Sequence, residues 1–209
     1  MNTVNTRNVA ILIFDDVEVL DFAGPFEVFN VAGEIIPFSP FPAFFTYTVG
    51  LTPQAVMTRG GMRVVPHYTL ETLPQPDILV VPGGFGARRL VKNPALVAWV
   101  KDQAARVERL ISVCTGALVL AQAGLLENLP ATTHHTAFDL LKGICPSARI
   151  VTDQRYVQNG HIITSGGISA GVDTSLAVVE DLLGAEKAAL VRAEMEWMWF
   201  TASAPALGS

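Results

Sequence analysis

The sequence predicts an α/β fold, a doubly wound and mostly parallel sheet with helices on both faces. Three observations point there. Val9-Ala10-Ile11-Leu12-Ile13-Phe14 and Asp77-Ile78-Leu79-Val80-Val81 carry continuous apolar runs, the pattern of parallel strands buried on both faces. Strand-like runs alternate with helical stretches, the order that generates βαβ units. Half of the 209 residues are hydrophobic and only 16% are charged, which suits a sheet covered on both sides. The length fits a single domain over residues 1–209, with its core from about 8 to 200 and loose tails.

Taken in order, the first strand is Val9 to Phe14. A loop from Asp15 to Leu20 follows, and a helix begins at Asp21, with Pro25 tolerated in its first turn. Asp21 has two readings: an N-cap, the commoner work for Asp here, or a carboxylate at the C-terminal edge of the strand, where open α/β sheets place their sites. Gly33 to Pro42 reads as a loop whose Phe38 and Phe41, with adjacent Phe44, either fill core or line a pocket or subunit contact. Phe44 to Leu51 alternates as a strand, and Gly60-Gly61 sits in a small hairpin between Val56–Thr58 and Met62–Pro66. The buried run ending at Val81 leads into Pro82-Gly83-Gly84-Phe85-Gly86, then a helix from about Ala87 to Val107. Two glycines at a strand end let backbone approach a ligand, but the spacing matches neither G-x-G-x-x-G nor a Walker loop. Exposed N–H groups of Gly83 and Gly84 facing Cys114 are the expectation, with a simple tight turn as the other reading.

Leu110-Ile111-Ser112-Val113-Cys114-Thr115-Gly116-Ala117 is the stretch that carries chemistry. A strand turning at once into a helix holds Cys114 in a tight, strained backbone beside free N–H groups of the helix start. Such a place lowers a thiol pKa and offers donors to a developing oxyanion, the thiol counterpart of a serine elbow. A small buried cysteine is the other reading. Gly124 to Leu129 is a helix stop and turn. Ala131-Thr132-Thr133-His134-His135 then suggests a short strand before a helix from Ala137 to Lys142. A histidine that activates the thiol and a merely surface or hydrogen-bonded histidine both fit His134 and His135. Arg149 to Val151, a hairpin on Asn159-Gly160, and helices from about Ala170 to Leu183 and Ala185 to Phe200 complete the chain. Glu194 and Glu196 beside Trp197 and Trp199 fit an amphipathic closing helix better than a site.

Several functional classes are disfavoured. A net charge of −5 argues against nucleic acid as a main partner. No apolar run reaches membrane-spanning length, and Met1 to Arg7 lacks the apolar core of a signal peptide. Two cysteines make neither a disulfide framework nor a zinc set, so a cytoplasmic protein without a metal is expected, and Cys145 beside Pro146 reads as structural.

This element order implies a flavodoxin-like sheet with its site at the strand C-termini. With Leu20-Asp21-Phe22-Ala23-Gly24-Pro25, Val81-Pro82-Gly83-Gly84, Ser112-Val113-Cys114-Thr115-Gly116-Ala117 and Ala131-Thr132-Thr133-His134, the chain resembles the ThiJ/PfpI superfamily from Val9 to Leu183. The LD-x-x-GP loop, the VCTG elbow followed by AGLL, and the ATTH strand are similar to its isonitrile hydratase branch. That resemblance implies a cofactor-free homodimer acting on a small molecule, with Cys114 as nucleophile and support from Asp21 and Thr115. Thr115 would orient water or substrate through its hydroxyl, and Gly83, Gly84, Thr115 and His134 would bind substrate or the oxyanion. Phe22, Phe85 and the 33–42 loop would wall the pocket. The chain also looks like the ligand-binding half of AraC-type regulators, although too few residues follow the last sheet-covering helix for their helix-turn-helix. Members described as peptidases carry His directly after the nucleophile, where this chain has Thr115, so proteolysis is disfavoured. A glyoxalase-like reaction on small carbonyls remains, weakened because relatives with that activity usually have Glu where Asp21 stands. A non-enzymatic sensor with an oxidisable Cys114 is the other alternative.

Overall fold

The computed structural model describes residues 6–197, apart from 36, 39 and 40. At its centre seven strands form one sheet: β1 (Arg7–Ile13), β2 (Phe44–Gly50), β3 (Tyr68–Thr69), β4 (Ile78–Val81), β5 (Arg109–Ser112), β6 (Tyr156–Asn159) and β7 (Ile162–Ser165), in the spatial order β6-β7-β5-β4-β1-β2-β3. All neighbours run parallel except β6 and β7, which are joined by the Asn159-Gly160 hairpin. The order reverses beside β1, where the chain winds outward first through β2 and then back through β4. At such a reversal the loops leaving adjacent strands diverge and open a crevice at the carboxyl edge. The apolar runs explain the centre: every β4 residue is buried, as is β1 from Val9 onward.

Helix α1 (Val19–Ile35) packs against α6 (Ala170–Leu183) and α7 (Ala185–Glu194). A second group, α3 (Pro94–Ala104), α4 (Ala117–Gln122) and α5 (Phe138–Ile144), packs around α4. The short α2 (Ala87–Leu90) lies between β4 and α3. Phe44 is core, packed edge-on to Phe29 at 5.2 Å. Cys145 is buried as well. The side chains of Phe38 and Phe41, together with Trp199 and Phe200, lie outside the described residues.

Four local expectations need correction. The helix expected from Ala87 to Val107 breaks: Asn93 accepts from Leu96 N–H at 3.1 Å and Pro94 opens α3, so a cap and a first-position proline restart the helix. Helix α1 begins two residues before Asp21 and continues through Gly33 to Ile35. Asp21 is therefore not its N-cap, and Pro25 lies inside the helix rather than in the first turn. The strand expected over 131–135 is reduced to Pro130–Ala131, paired with Arg149–Ile150 outside the main sheet. His134 sits beyond it, capping a 3₁₀ turn.

Candidate active site

Cys114 stands at the corner between β5 and a 3₁₀ turn, Cys114–Gly116, that runs into α4. Its φ of +56° is left-handed, a conformation costing a non-glycine residue about 1–3 kcal/mol. The surroundings hold it there. Val113 N–H donates to Val81 O and Cys114 N–H to Gly166 O, both at 3.0 Å, while the buried Thr133 hydroxyl donates to Cys114 O at 2.7 Å. The elbow is thus tied to the end of β4, to the loop after β7 and to the segment after Ala131. The bend turns the thiol into the crevice at the sheet edge.

Asp21 faces that thiol. Its carboxyl is fully buried, and it accepts from Gly83 N–H at 3.0 Å through Oδ2 and from Ile168 N–H at 3.2 Å through Oδ1. It also hydrogen-bonds the Cys114 thiol. Burial raises the carboxyl to about 7, against the opposing pull of the two backbone donors. Ile168, which donates to it, has a left-handed backbone with φ +54°.

The thiol departs from expectation. Burial, and then the charge of Asp21, push Cys114 up to about 12. The N–H and hydroxyl of Thr115 act the other way, as a helix start should, but desolvation outweighs them. The resting pair is a neutral thiol beside a carboxyl poised near neutrality, not a free thiolate. An anionic Asp21 discourages the thiolate; a protonated one bonds it. The pair therefore handles a proton between sulfur and oxygen.

The glycine loop also serves differently from its expected role. Gly83 N–H is committed to Asp21, and Gly84 N–H donates to Thr115 Oγ1 at 3.0 Å. Neither faces Cys114 as a free oxyanion donor. A Cβ on Gly83 would lie 2.5 Å from Thr115 N and 2.9 Å from Asp21 Oδ2, so the absent side chain is what lets the loop, elbow and carboxyl meet. Gly84 has φ +118°, which L side chains rarely adopt. The Thr115 hydroxyl donates to Gly84 O at 3.0 Å and also lowers the thiol pKa. Its one proton thus has two acceptors, so it can turn to sulfur as negative charge forms there, rather than to water or substrate. Thr115 N–H, already directed at sulfur, is the elbow's donor.

His134 shares the cavity with Cys114 but is not bonded to it. Its Nδ1 accepts from Thr136 N–H at 3.3 Å and lies 2.8 Å from Thr136 Oγ1. Burial, His135 and then Arg59 and Arg88 depress its pKa. The groups that bond the thiol are Asp21 and Thr115, so the Cys–His pairing is replaced by a Cys–Asp one. His135 is exposed. Phe85 lines the mouth as expected, whereas Phe22 is buried in the core.

The cavity holds about 350 Å³ and is more polar at its rim than the sequence suggested. Glu18 and Arg59 form an ion pair of 2.7 Å there. The Arg59 guanidinium stacks 4.3 Å from the Phe85 ring centre, and that of Arg88 lies 5.8 Å from it. Sequence reading missed Glu18, Arg59, Arg88, Thr133 and Ile168. Thr133 lay within a noted motif; Glu18, Arg59 and Ile168 are brought in by loops and Arg88 by α2. Among the described residues no cluster of metal-ligating side chains exists, and no helix is long and apolar enough to cross a membrane.

A thiol on a strand–helix elbow, paired with a buried carboxyl at the edge of a doubly wound sheet, defines a class of α/β proteins organised around a cysteine at that edge. The chain belongs to the DJ-1/PfpI family, whose model matches residues 7–181. It is 33% identical over 189 residues to the isonitrile hydratase of Pseudomonas putida, across 90% of this chain and 78% of that protein. Over 136 residues it is 35% identical to the HTH-type transcriptional regulator CdhR of Pseudomonas aeruginosa, covering 65% of this chain and 40% of the regulator. Among solved structures, a THiJ/PfpI family protein from Pseudomonas syringae matches with a TM-score of 0.83 at 28% identity, over 98% of this chain and 79% of that one.

Proposed function

We propose that the protein hydrates an isonitrile, R–N≡C, to the N-substituted formamide, with Cys114 as nucleophile and Asp21 as proton carrier. The observation that carries this reading is the hydrogen-bonded thiol–carboxyl pair with its carboxyl near 7. The terminal carbon of an isonitrile is both electrophile and proton acceptor, so it calls for a nucleophile and a proton delivered to one atom. Asp21 takes the thiol proton as sulfur adds to that carbon, then gives it to the same carbon, forming the thioimidate R–N=CH–S–Cys114. Water adds next, its oxygen to carbon and a proton through Asp21 to nitrogen. As the C–S bond breaks, the hydroxyl proton returns by the same carboxyl to sulfur, releasing R–NH–CHO. Thr115 N–H and hydroxyl stabilise the sulfur whenever it carries charge. No cofactor is required by this balance.

The polar rim favours a second reading, a small reactive carbonyl such as methylglyoxal. The thiol would form a hemithioacetal and Asp21 would move the proton between adjacent carbons. One experiment separates the two: purified protein and Cys114→Ser are each given a simple alkyl isonitrile and, in parallel, methylglyoxal. Formamide from wild type and none from the variant supports hydration. Lactate in its place supports the carbonyl reaction. Ligand binding with neither product would make the protein a sensor and defeat both.

A further inference from the structure

The rim carries a charge imbalance that the proton chemistry does not use. Arg59 is answered by Glu18 at 2.7 Å. The third cation nearby, Arg89, is answered outside the cavity by Asp16 at 2.8 Å and by Asp15 O. Arg88 lines the cavity and makes no ion pair among the described residues. Its guanidinium lies within cation–π range of Phe85, a ring 52% exposed at the mouth, which is shared with Arg59. His134, whose pKa burial, His135 and then the two guanidiniums lower, lines the same cavity. An apolar R group entering here would lie against guanidinium, carboxylate and imidazole and desolvate them without compensation.

We infer that the substrate carries a carboxylate that pairs with Arg88 at the cavity mouth while its reactive carbon meets Cys114. A guanidinium fork fits a planar carboxylate in a bidentate manner, and the Phe85 ring, 5.8 Å from the Arg88 guanidinium, helps hold it at the mouth. One unanswered cation matches a monoanion, which a carboxylate is and a phosphate monoester at neutral pH is not. The Glu18 carboxylate also faces the cavity, but Arg59 already neutralises it. Asp21 lies deeper, fully buried behind the thiol. This assignment deepens the hydration reading, which makes the substrate an isocyano carboxylate; the carboxylate site itself is independent of the reaction that follows.

Two readouts keep those claims apart. The first is alkylation of Cys114, in which sulfur displaces iodide from iodoacetate or from neutral, similarly sized iodoacetamide, followed by mass spectrometry of the Cys114 peptide. A carboxylate site makes iodoacetate react saturably, with its rate relative to iodoacetamide about tenfold above the ratio for free cysteine. Arg88→Met returns the ratio to that of free cysteine, Arg88→Lys retains part of the gain, and Arg89→Met keeps all of it. The second is turnover of isocyanoacetate against n-propyl isonitrile, where kcat/KM favours the acid about tenfold and Arg88→Met removes the preference through KM. Alkylation selectivity without turnover of either isonitrile supports the carboxylate site and defeats hydration. A wild-type ratio equal to that of free cysteine, or one unmoved by both Arg88 variants, overturns the inference.

Discussion

Asp21→Asn probes the central pair through stability as well as rate. In the folded chain burial holds the Asp21 carboxyl near 7, against 3.8 for an ordinary one. Between these values the folded state keeps a proton that the unfolded chain has released, so stability falls as pH rises through that window. The loss is complete above 7, and the gap from 3.8 to 7 corresponds to about 4 kcal/mol. About 3 kcal/mol of it falls between pH 5 and pH 8. Asn does not titrate, so its variant lacks this slope. Cys114, raised to about 12, adds none below pH 8. Urea denaturation at one-unit pH steps should show wild type losing about 3 kcal/mol relative to Asp21→Asn across the range. The variant also leaves an amide facing the Gly83 donor, a pH-independent cost of about 1–3 kcal/mol that shifts its curve without tilting it. In the rate, carboxylate Asp21 must accept the thiol proton. Wild-type kcat/KM should rise as pH passes about 7, and the variant should fall about 10²–10⁴-fold. Parallel stability curves would refute the raised carboxyl, and near-normal turnover would remove Asp21 from the chemistry.

Other perturbations reach the supports of that pair. Gly83→Ala forces a methyl against Thr115 N and Asp21 Oδ2; turnover should drop about 100-fold while circular dichroism stays native. Thr115→Val strips Gly84 N–H and C=O of their shared partner and sulfur of a donor. A denaturant midpoint lower by about 1–3 kcal/mol, with reduced kcat, is the expected result. Asn93→Ala leaves the Leu96 N–H uncapped and should cost about 1 kcal/mol of stability with no change in rate.

The sheet was legible because its central strands are buried on both faces, which writes itself into Val9–Phe14 and Ile78–Val81 as unbroken apolar runs. The elbow was legible because a strand pattern runs into a helical one with no intervening loop. Asn93-Pro94 carried a readable stop that the apolar content on either side obscured. Asp21 was ambiguous for a physical reason: the residue that caps a helix and the residue that offers a carboxylate at a strand end are the same type in the same place. Gly83 and Ile168, both distant in sequence, decide between them. The neutral thiol could not be foreseen, since desolvation is a property of the packed interior and the helix-end effect a property of local sequence. Arg59 and Ile168 from separate loops and Arg88 from α2 converge on the cavity around the cysteine, and nothing local to any of them records that convergence.

The floor of the cavity and its rim are built from different parts. Cys114, Asp21 and Thr115 are fixed by backbone bonds from the ends of β4 and β7 and by Thr133. Arg59 comes from the turn of a two-stranded hairpin outside the main sheet, and Phe85 and Arg88 from the last loop residues before α2 and its first turn. The rim side chains supply none of the bonds that hold the elbow. Under the proposed hydration, substitutions at the mouth would change which molecule enters while the Cys114–Asp21 pair beneath stays intact.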